Sequence, residues 1–376
     1  MKKKYLLAPG PVQIPPEVYL EMAKPIGHHR TPEFEQTVVE IQIYLKQLFQ
    51  TKNPVITFSA SGTGAMEAAI VNIHRKNDKV LVVVNGKFSE RMAAIAETYG
   101  LDVITIDLDS GDSVDPAIIE DLLLRDPLIK SVMVEYSETS TGAMNDVEEI
   151  AKIVRKTDAL LIVDAITALG VVPVCCDDWG LDVVIGGSQK SLMLPPGLSF
   201  INLSDRAWQR SEESDLPKFY FDLQKEKQAL AKNTTAWTPS ITLMNALAVS
   251  LKMMSQYGWQ NLFEKNLKLA QALQKAAKAM GLNLLSANPS VSVTAIKVPE
   301  GIDGNQLVQI LKDEYGVTIA GGQEELKGKI IRIGTLGYID RTDLLVAIGS
   351  LESALDNMGY KFEKGSGIKV IQDCLF

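Results

Sequence analysis

The sequence predicts an α/β fold built on a mostly parallel sheet. Short runs rich in Val and Ile follow one another between residues 55 and 187: VITFSA, KVLVVV, VITID, SVMVEY, ALLIVDA and DVVIGG. Helical patterns separate most of them, as in SERMAAIAETYG, PAIIEDLLLR and VEEIAKIVRK. Strands that alternate with helices at this rhythm form right-handed βαβ units around a buried parallel sheet.

The residues before the first run predict a long amphipathic helix. Thr31 offers a capping hydroxyl, and Pro32 suits the first helical position. Apolar side chains then recur at alternating spacings of four and three residues and form one stripe: Phe34, Val38, Ile41, Leu45 and Leu48. Asp115 and Asp146 precede two later helical patterns.

Length and a change of pattern predict two domains. A chain of 376 residues is too long for one ordinary core. The α/β rhythm stops near residue 205, and long helical segments joined around Gly258 lead to a second α/β set. We therefore expect a large domain over residues 16–257 and a smaller C-terminal domain over residues 258–376. The tail GSGIKVIQDCLF gives no clear pattern.

Composition excludes several classes of protein. The net charge of −8 argues against a nucleic-acid partner, which normally requires a basic face. No apolar run approaches the roughly 20 residues of a membrane helix, and the basic start MKKKYLLAPGPV is too short for a signal peptide. We expect a cytoplasmic protein. No metal site is expected, because the few cysteines and histidines lack zinc-site spacing: Cys175, Cys176, Cys374, His28, His29 and His74.

The stretch SASGTGAMEAA, residues 59–69, places a glycine-rich turn between a strand and a helix. Such a helix start offers free N–H groups and a favourable dipole, and the hydroxyls of Ser61 and Thr63 add to a phosphate site. The alternative is a turn whose glycines are purely steric. A Rossmann fingerprint is absent, since Glu67 stands in place of its third glycine.

Two charged residues follow very apolar strands. Asp164 ends LLIVDA, where open sheets bind ligands, although it could equally cap the next segment. Lys190 follows DVVIGG in GGSQKSLMLPPG, and the alternative for it is a solvated turn lysine. A phosphate cradle, an acid and a lysine at strand ends are the parts that hold pyridoxal phosphate (PLP). The lysine would form the Schiff base, its pKa lowered by apolar flanks, and the acid would pair with the ring nitrogen.

These motifs carry a resemblance to a known family. The stretches SGTGAMEAA, NGKFSERM, ETSTGA, LLIVDAITALG, GGSQKSLMLPPG and RIGTLG occur in the order and at the spacing of class V aminotransferases. The chain resembles the alanine–glyoxylate and serine–pyruvate branch of these PLP enzymes of fold type I. The resemblance implies a large domain with a mostly parallel seven-stranded sheet, a smaller C-terminal domain, and an N-terminal segment (residues 1–15) near the active site. It also implies a homodimer with a shared site.

The resemblance assigns roles to individual residues. It makes Lys190 the Schiff-base lysine and Asp164 the partner of the ring nitrogen. It places six further residues around the cofactor: Ser61, Gly62, Thr63 and Gln189 near the phosphate, Phe88 stacked on the ring, and Thr139 at the ring's hydroxyl side. Arg332 would bind the α-carboxylate of the substrate, and Gly27 would line the substrate site.

One position departs from the family pattern. Relatives supply a tyrosine and a threonine from the partner subunit to the phosphate, ahead of a proline. This chain has NTTAWTPS there, with no tyrosine, so either Thr235 or Thr238 would take that place.

The expected activity is a ping-pong transamination between small amino acids and 2-oxo acids. Alanine or serine is the expected donor and glyoxylate or pyruvate the acceptor, since only Arg30 stands out as a second arginine for a side-chain carboxylate. Aspartate, 2-aminoethylphosphonate and ureidoglycine are alternative donors. Two competing hypotheses are a cysteine desulfurase-like lyase that uses Cys374 and a non-catalytic protein that keeps only the fold.

Overall fold

The protein was analysed as a computed structural model, which describes residues 3–376. The strands, in chain order, are β1 (Tyr5–Leu6), β2 (Val55–Phe58), β3 (Lys79–Val84), β4 (Asp102–Asp107), β5 (Ile129–Glu135), β6 (Ser137–Glu138), β7 (Ala143–Met144), β8 (Leu160–Asp164), β9 (Val183–Gly187), β10 (Ser199–Leu203), β11 (Val293–Lys297), β12 (Val317–Thr318), β13 (Ala320–Gly321) and β14 (Ile330–Gly334).

The helices alternate with these strands over most of the chain. They are α1 (Pro16–Met22), α2 (Pro32–Leu48), α3 (Gly62–Ile73), α4 (Lys87–Thr98), α5 (Pro116–Arg125), α6 (Val147–Val154), α7 (Cys176–Trp179), α8 (Asp205–Ser211), α9 (Leu223–Leu230), α10 (Ile241–Tyr257), α11 (Trp259–Ala279), α12 (Gly304–Asp313), α13 (Arg341–Asn357) and α14 (Ser366–Leu375).

The central sheet confirms the predicted α/β class. It has seven strands in the order β2-β10-β9-β8-β5-β3-β4. The pairs β3–β4, β3–β5, β5–β8 and β8–β9 are parallel, whereas β10 runs antiparallel to both β9 and β2. Sequence reasoning missed β10, whose polar Ser199 and Asn202 interrupt its apolar pattern.

Both faces of the sheet are buried. In β8, Leu161 and Val163 join the apolar core that also contains residues of α2, α5, α6 and α10. Leu160 and Ile162 join the core on the opposite face, against α3 and α4. This two-sided burial explains why the strands are continuous apolar runs rather than alternating patterns.

The predicted helix starts are confirmed. Helix α2 begins at Pro32, and the side chain of Thr31 accepts a hydrogen bond from the N–H of Phe34. The whole predicted apolar stripe of α2 is buried. Asp115 and Asp146 cap α5 and α6 with their carboxylates.

The C-terminal part contains a core of its own. Strands β11, β14 and β13 form a small antiparallel sheet, and α11 to α14 supply much of the surrounding core. Strand β1 pairs with β12, and Leu7 belongs to this core. Residues 5–7 therefore pack against the C-terminal part. Gly258, with a φ of +95°, separates α10 from α11. The domain boundary at residue 258 stays a prediction.

The tail that gave no clear pattern forms α14. Ile371 is fully buried, and the carboxylate of Glu352 accepts hydrogen bonds from the N–H groups of Gly365, Gly367 and Ile368. Over the described residues, no helix combines the length and apolarity needed to cross a membrane.

His74, at the end of α3, is buried, and its burial makes the stability of the protein depend on pH. Its ring bonds to the carbonyl of Ile70 and to the hydroxyl of Ser131, and burial lowers its pKa to about 4. Because the unfolded chain takes up this proton near pH 6.5, stability is lost as the pH falls from 6.5 towards 4.

We expect wild type to lose about 2 kcal/mol of unfolding free energy between pH 7.5 and pH 5 relative to His74→Gln, which lacks this proton site. Urea unfolding at the two pH values measures the difference. His28→Gln, at an exposed position, is the control and should follow wild type. Equal pH dependence in His74→Gln and wild type would contradict the assignment.

Candidate active site

A cavity of about 290 Å³ lies where β5, β8 and β9 end. The carboxyl ends of parallel strands are where α/β sheets bind ligands. The cavity is lined by residues that the sequence singled out from five separate motifs: Ser61, Gly62, Thr63, Phe88, Thr139, Asp164, Gln189 and Lys190. Folding therefore brings these predicted cofactor residues to one place.

Lys190 is buried at the floor of this cavity rather than solvated. Lys190 lies in a tight turn directly after β9, and the residue is only 8% exposed. Its Nζ donates a hydrogen bond of 2.7 Å to the carbonyl oxygen of Pro9. Burial lowers the pKa of Lys190 to about 8, against the opposing effect of the Asp164 carboxyl. About one amine in ten is then neutral at pH 7.

The N-terminal segment reaches Lys190 through a glycine. Gly10 has a φ of +135°, and a Cβ at this position would lie 2.5 Å from the Nζ of Lys190. A side chain there would meet both backbone strain and the reactive amine. Local sequence patterns do not indicate this contact, because the two residues are distant along the chain.

Asp164 lies at the cavity and also bonds to the backbone of the turn that follows it. It is the last residue of β8 and is 2% exposed, and it lines the cavity. Its Oδ1 also accepts a hydrogen bond of 2.7 Å from the N–H of Ile166, which holds the next turn. Burial raises the pKa of Asp164 to about 6.

The opposite end of the cavity suits an anion. Helix α3 starts at Gly62, and the side chain of Ser61 is not used to cap it. The Oγ1 of Thr63 accepts a hydrogen bond from Arg91, whose guanidinium lies 4.9 Å from the centre of the Phe88 ring. A helix N-terminus, two hydroxyls and a guanidinium together could hold a phosphate group.

The ETSTGA loop positions Thr139 and connects it to Arg332. The hydroxyl of Thr139 shares a hydrogen bond of 2.7 Å with that of Thr167. Arg332, 6% exposed, donates from Nη1 to the carbonyl of Thr139 and from Nε to the carbonyl of Gly321. Arg332 itself does not line the cavity, but it contacts Thr139, which does.

Several of the predicted site residues lie elsewhere in the single chain. Gly27 lines a second cavity of about 270 Å³, next to α2 and α10. Thr235 is buried and donates to the carbonyl of Trp237, while Thr238 is exposed. Arg30 donates to Thr234 and to the carbonyl of Thr235. The roles of these residues in a shared site stay predictions.

Sequence reasoning missed other residues that line the cavity. They are Gly10, Pro11, Met66, Arg91, Glu135, Ile166, Thr167 and Pro196. Arg91 and Thr167 belong to the motifs NGKFSERM and LLIVDAITALG, so their polar side chains were a usable signal. Gly10 and Pro11 gave no local signal. Cys374 is exposed on α14 and does not line the cavity, so the structure gives the desulfurase alternative no support.

A comparison with protein families now identifies the chain. The family described as aminotransferase class-V matches residues 4–337. The chain is a class V aminotransferase. Its cofactor is therefore PLP, and its reaction is transamination. Among residues 3–376, no group of three or more His, Cys, Asp or Glu is arranged to hold a metal ion.

Curated relatives of this aminotransferase align over nearly its whole length. The "Soluble hydrogenase, small subunit" of Synechococcus sp. is 42% identical, over 97% of this chain and 97% of its own. The L-aspartate–glyoxylate aminotransferase of Paracoccus denitrificans is 32% identical, over 98% and 95%. The serine–glyoxylate aminotransferase of Methylorubrum extorquens is 32% identical, over 97% and 94%. The first name describes a hydrogenase subunit, but the family match and the cavity of this chain are those of an aminotransferase.

A solved structure shows the same fold. The ureidoglycine–glyoxylate aminotransferase of Bacillus subtilis superposes with a TM-score of 0.95 at 30% identity, covering 100% of this chain and 98% of its own. The fold of the present chain is therefore that of the PLP enzymes of fold type I.

The cavity of this aminotransferase fits PLP in its chemistry. The start of α3, with Ser61 and Thr63, could hold the phosphate. The Oε1 of Gln189 is buried without a hydrogen-bond partner among the described residues, so it is free to accept one from a ligand. Lys190 and Asp164 would supply the amine and the acid that the aldehyde and the ring nitrogen require.

Gly10→Ala should weaken both cofactor binding and turnover by at least about tenfold, because its Cβ would displace either the N-terminal segment or the Lys190 amine. Titration of the apoprotein with PLP, followed by its visible absorbance, measures the affinity.

Gly301→Ala is the matched control, since Gly301 also has a positive φ, of +82°, but no atom lies within 4 Å of the place that a Cβ would take. It should lose some stability while its PLP affinity stays at the wild-type value. Wild-type affinity and turnover in Gly10→Ala would show that the close approach to Lys190 has no functional weight.

Proposed function

We propose that this aminotransferase moves the amino group of alanine or serine to glyoxylate or pyruvate by a ping-pong mechanism. The observation that carries the proposal is the buried amine of Lys190 opposite the buried carboxyl of Asp164 in one cavity. Relatives support the acceptor, because the three named aminotransferases above all have glyoxylate in their names.

Arg332 would receive the α-carboxylate that all these substrates share. Two of its N–H groups are held by the carbonyls of Thr139 and Gly321, which fixes the guanidinium plane. Its Nη2 makes no hydrogen bond to the described residues, and a planar guanidinium can bind a carboxylate with two parallel hydrogen bonds. The same contact would serve donor and acceptor in turn.

The charges around the cavity favour a small donor. Arg91 is the arginine among the lining residues, and it is engaged with Thr63 and Phe88 at the anion end. Arg30, the other candidate for a side-chain carboxylate, contacts the Thr234–Thr235 segment. A donor such as aspartate would need a further cation, which gives alanine or serine the advantage.

Lys190 would move the proton in both half-reactions. When bound, PLP supplies an aldehyde that takes up the amino group and a ring that spreads negative charge from the α-carbon. The neutral Nζ of Lys190 would accept the α-proton of the donor in the first half-reaction. In the second half-reaction, the protonated Nζ would deliver a proton to the α-carbon of the new amino acid. The Asp164 carboxylate would hold a proton on the ring nitrogen. Pro11 and Phe88, which line the cavity, would help to exclude water.

We also propose a homodimer in the cytoplasm. Gly27, Thr235 and Thr238 lie away from Lys190 in one chain, so a role for them at the cofactor needs a second copy. The free thiols of Cys175, Cys176 and Cys374 suit a reducing compartment.

A panel of amino donors tests the substrate. With the holoenzyme, alanine and serine should change the visible absorbance of PLP in a half-reaction without any acceptor, and glyoxylate or pyruvate should restore it. Initial rates with both substrates should give parallel double-reciprocal lines. A rapid response to aspartate with none to alanine or serine would refute the proposed donors while leaving the transaminase assignment intact.

Lys190→Ala tests the base. Turnover should fall by about 10²- to 10⁴-fold, the usual contribution of a positioned acid–base group, and the covalently bound visible band should be lost. Lys265→Met is the matched control: Lys265 is a half-buried lysine whose pKa is also lowered by burial, but its Nζ contacts the carbonyls of Gly337 and Ile339, outside the cavity. Wild-type turnover in Lys190→Ala would rule out this mechanism.

A further inference from the structure

Glu135 is a buried acid at the cavity that the proposed mechanism does not use. It is the last residue of β5, as Asp164 is of β8, and the two are direct partners in the parallel pairing of these strands. Partners in a parallel pair project to the same face of the sheet. The two side chains are therefore neighbours, and both line the same cavity.

Both acids are inaccessible to bulk water. Glu135 is 3% exposed and Asp164 is 2% exposed, and both line the cavity that contains Lys190. Two carboxyl groups in contact and out of water cannot both be ionised, because each charge raises the cost of the other. One proton must therefore remain on the pair at neutral pH.

The hydrogen bonds decide which acid keeps the proton. The Oδ1 of Asp164 accepts from the N–H of Ile166, which stabilises a charged carboxylate. The Oε1 of Glu135 is buried and has no hydrogen-bond partner among the described residues. A buried carboxylate without donors is costly, whereas a protonated carboxylic acid needs fewer donors.

A nearby glutamate shows the contrast. Glu138, three residues further on, accepts from the backbone N–H groups of Phe88, Ser89 and Ser140 and from the hydroxyls of Ser89 and Ser140. These hydrogen bonds join the ETSTGA loop to the start of α4. Glu135 has no comparable set of donors among the described residues, so its chemistry differs although its residue type is the same.

The electrostatic balance agrees with this assignment. Burial, followed by the charges of Asp164 and Glu138, raises the pKa of Glu135 well above its ordinary value. Lys190 acts in the opposite direction but does not offset burial. The hydrogen bond between the two acids raises the pKa of Glu135 and lowers that of Asp164, so the proton stays on Glu135.

We propose that Glu135 is a positioning residue: a neutral carboxylic acid that donates its proton to Asp164 and so keeps Asp164 ionised and oriented as the partner of the cofactor's ring nitrogen. The inference rests on the proposed role of Asp164 and is independent of which amino donor is used. Without the Glu135 proton, Asp164 competes more strongly for the proton of the ring nitrogen. The nitrogen then loses its proton at a lower pH, and the ring becomes a weaker electron sink.

The protonation of Glu135 can be measured in the apoprotein. Infrared spectra with isotopically labelled glutamate should show the carbonyl stretch of a protonated acid at neutral pH, and Glu135→Gln should remove it. Glu352→Gln is the matched control, because Glu352 is an equally buried glutamate whose carboxylate accepts three backbone N–H groups in the C-terminal part. It should leave the band in place. A wild-type spectrum without the band, or its survival in Glu135→Gln, would overturn the inference.

The consequence for the cofactor is measured in the holoenzyme loaded with PLP that carries ¹⁵N in the ring. The ¹⁵N chemical shift reports the protonation of the ring nitrogen across a pH titration. Glu135→Gln keeps an N–H donor for Asp164 and should titrate like wild type, with kcat within about threefold. Glu135→Leu should lose the ring proton at a lower pH and fall about tenfold in kcat at unchanged KM.

Asp164→Asn distinguishes the role of Asp164 from that of Glu135. It should lower the protonation of the ring nitrogen more than Glu135→Leu does, because it removes the charged partner itself. Unchanged protonation of the ring nitrogen in Asp164→Asn would overturn the role of Asp164 and this inference with it. The role of Glu135 alone would be overturned by a different pair of results. The protonation of the ring nitrogen would change in Asp164→Asn, while Glu135→Leu would keep the wild-type titration and kcat.

Discussion

The structure depends on keeping one amine and two acids out of water at the edge of a parallel sheet. Lys190, Asp164 and Glu135 are each less than a tenth exposed, and none would be stable there alone. Two effects oppose each other at the amine: burial disfavours a proton on Lys190, and the charge of Asp164 favours it. The result is an amine whose pKa is about 8, which can act as nucleophile and base near neutral pH.

The strand pairing is what brings these groups together. Glu135 and Asp164 occupy one row of the sheet, and Ile185 of β9 extends the same row. Lys190 follows five residues later, after β9 has ended. The antiparallel β10 covers the far edge of β9, so the turn with Lys190 is supported on both sides. The N-terminal segment then closes over it, with the Pro9 carbonyl bound to the amine.

Much of this could be predicted from the sequence, because it depends on local patterns. Apolar runs indicated most strands of the central sheet, and Thr31 marked a helix start correctly. Lys190 and Asp164 stood out as charges directly after apolar strands. The contact between Gly10 and Lys190 joins residues 180 positions apart, and nothing in either local stretch indicates it. Thr235 and Thr238 could not be placed because their proposed site would need a second chain.

Glu135 and Glu138 show that residue type alone does not determine the role of a buried side chain. Both follow the apolar run SVMV within a few positions, and both are buried. The sequence gives no reason to treat them differently. The fold surrounds Glu138 with five donors from the first turn of α4 and the ETSTGA loop, and it places Glu135 beside a second acid. Glu138 thereby becomes a hydrogen-bond acceptor that holds a loop, whereas Glu135 becomes a proton donor, because long-range contacts determine which groups surround each side chain.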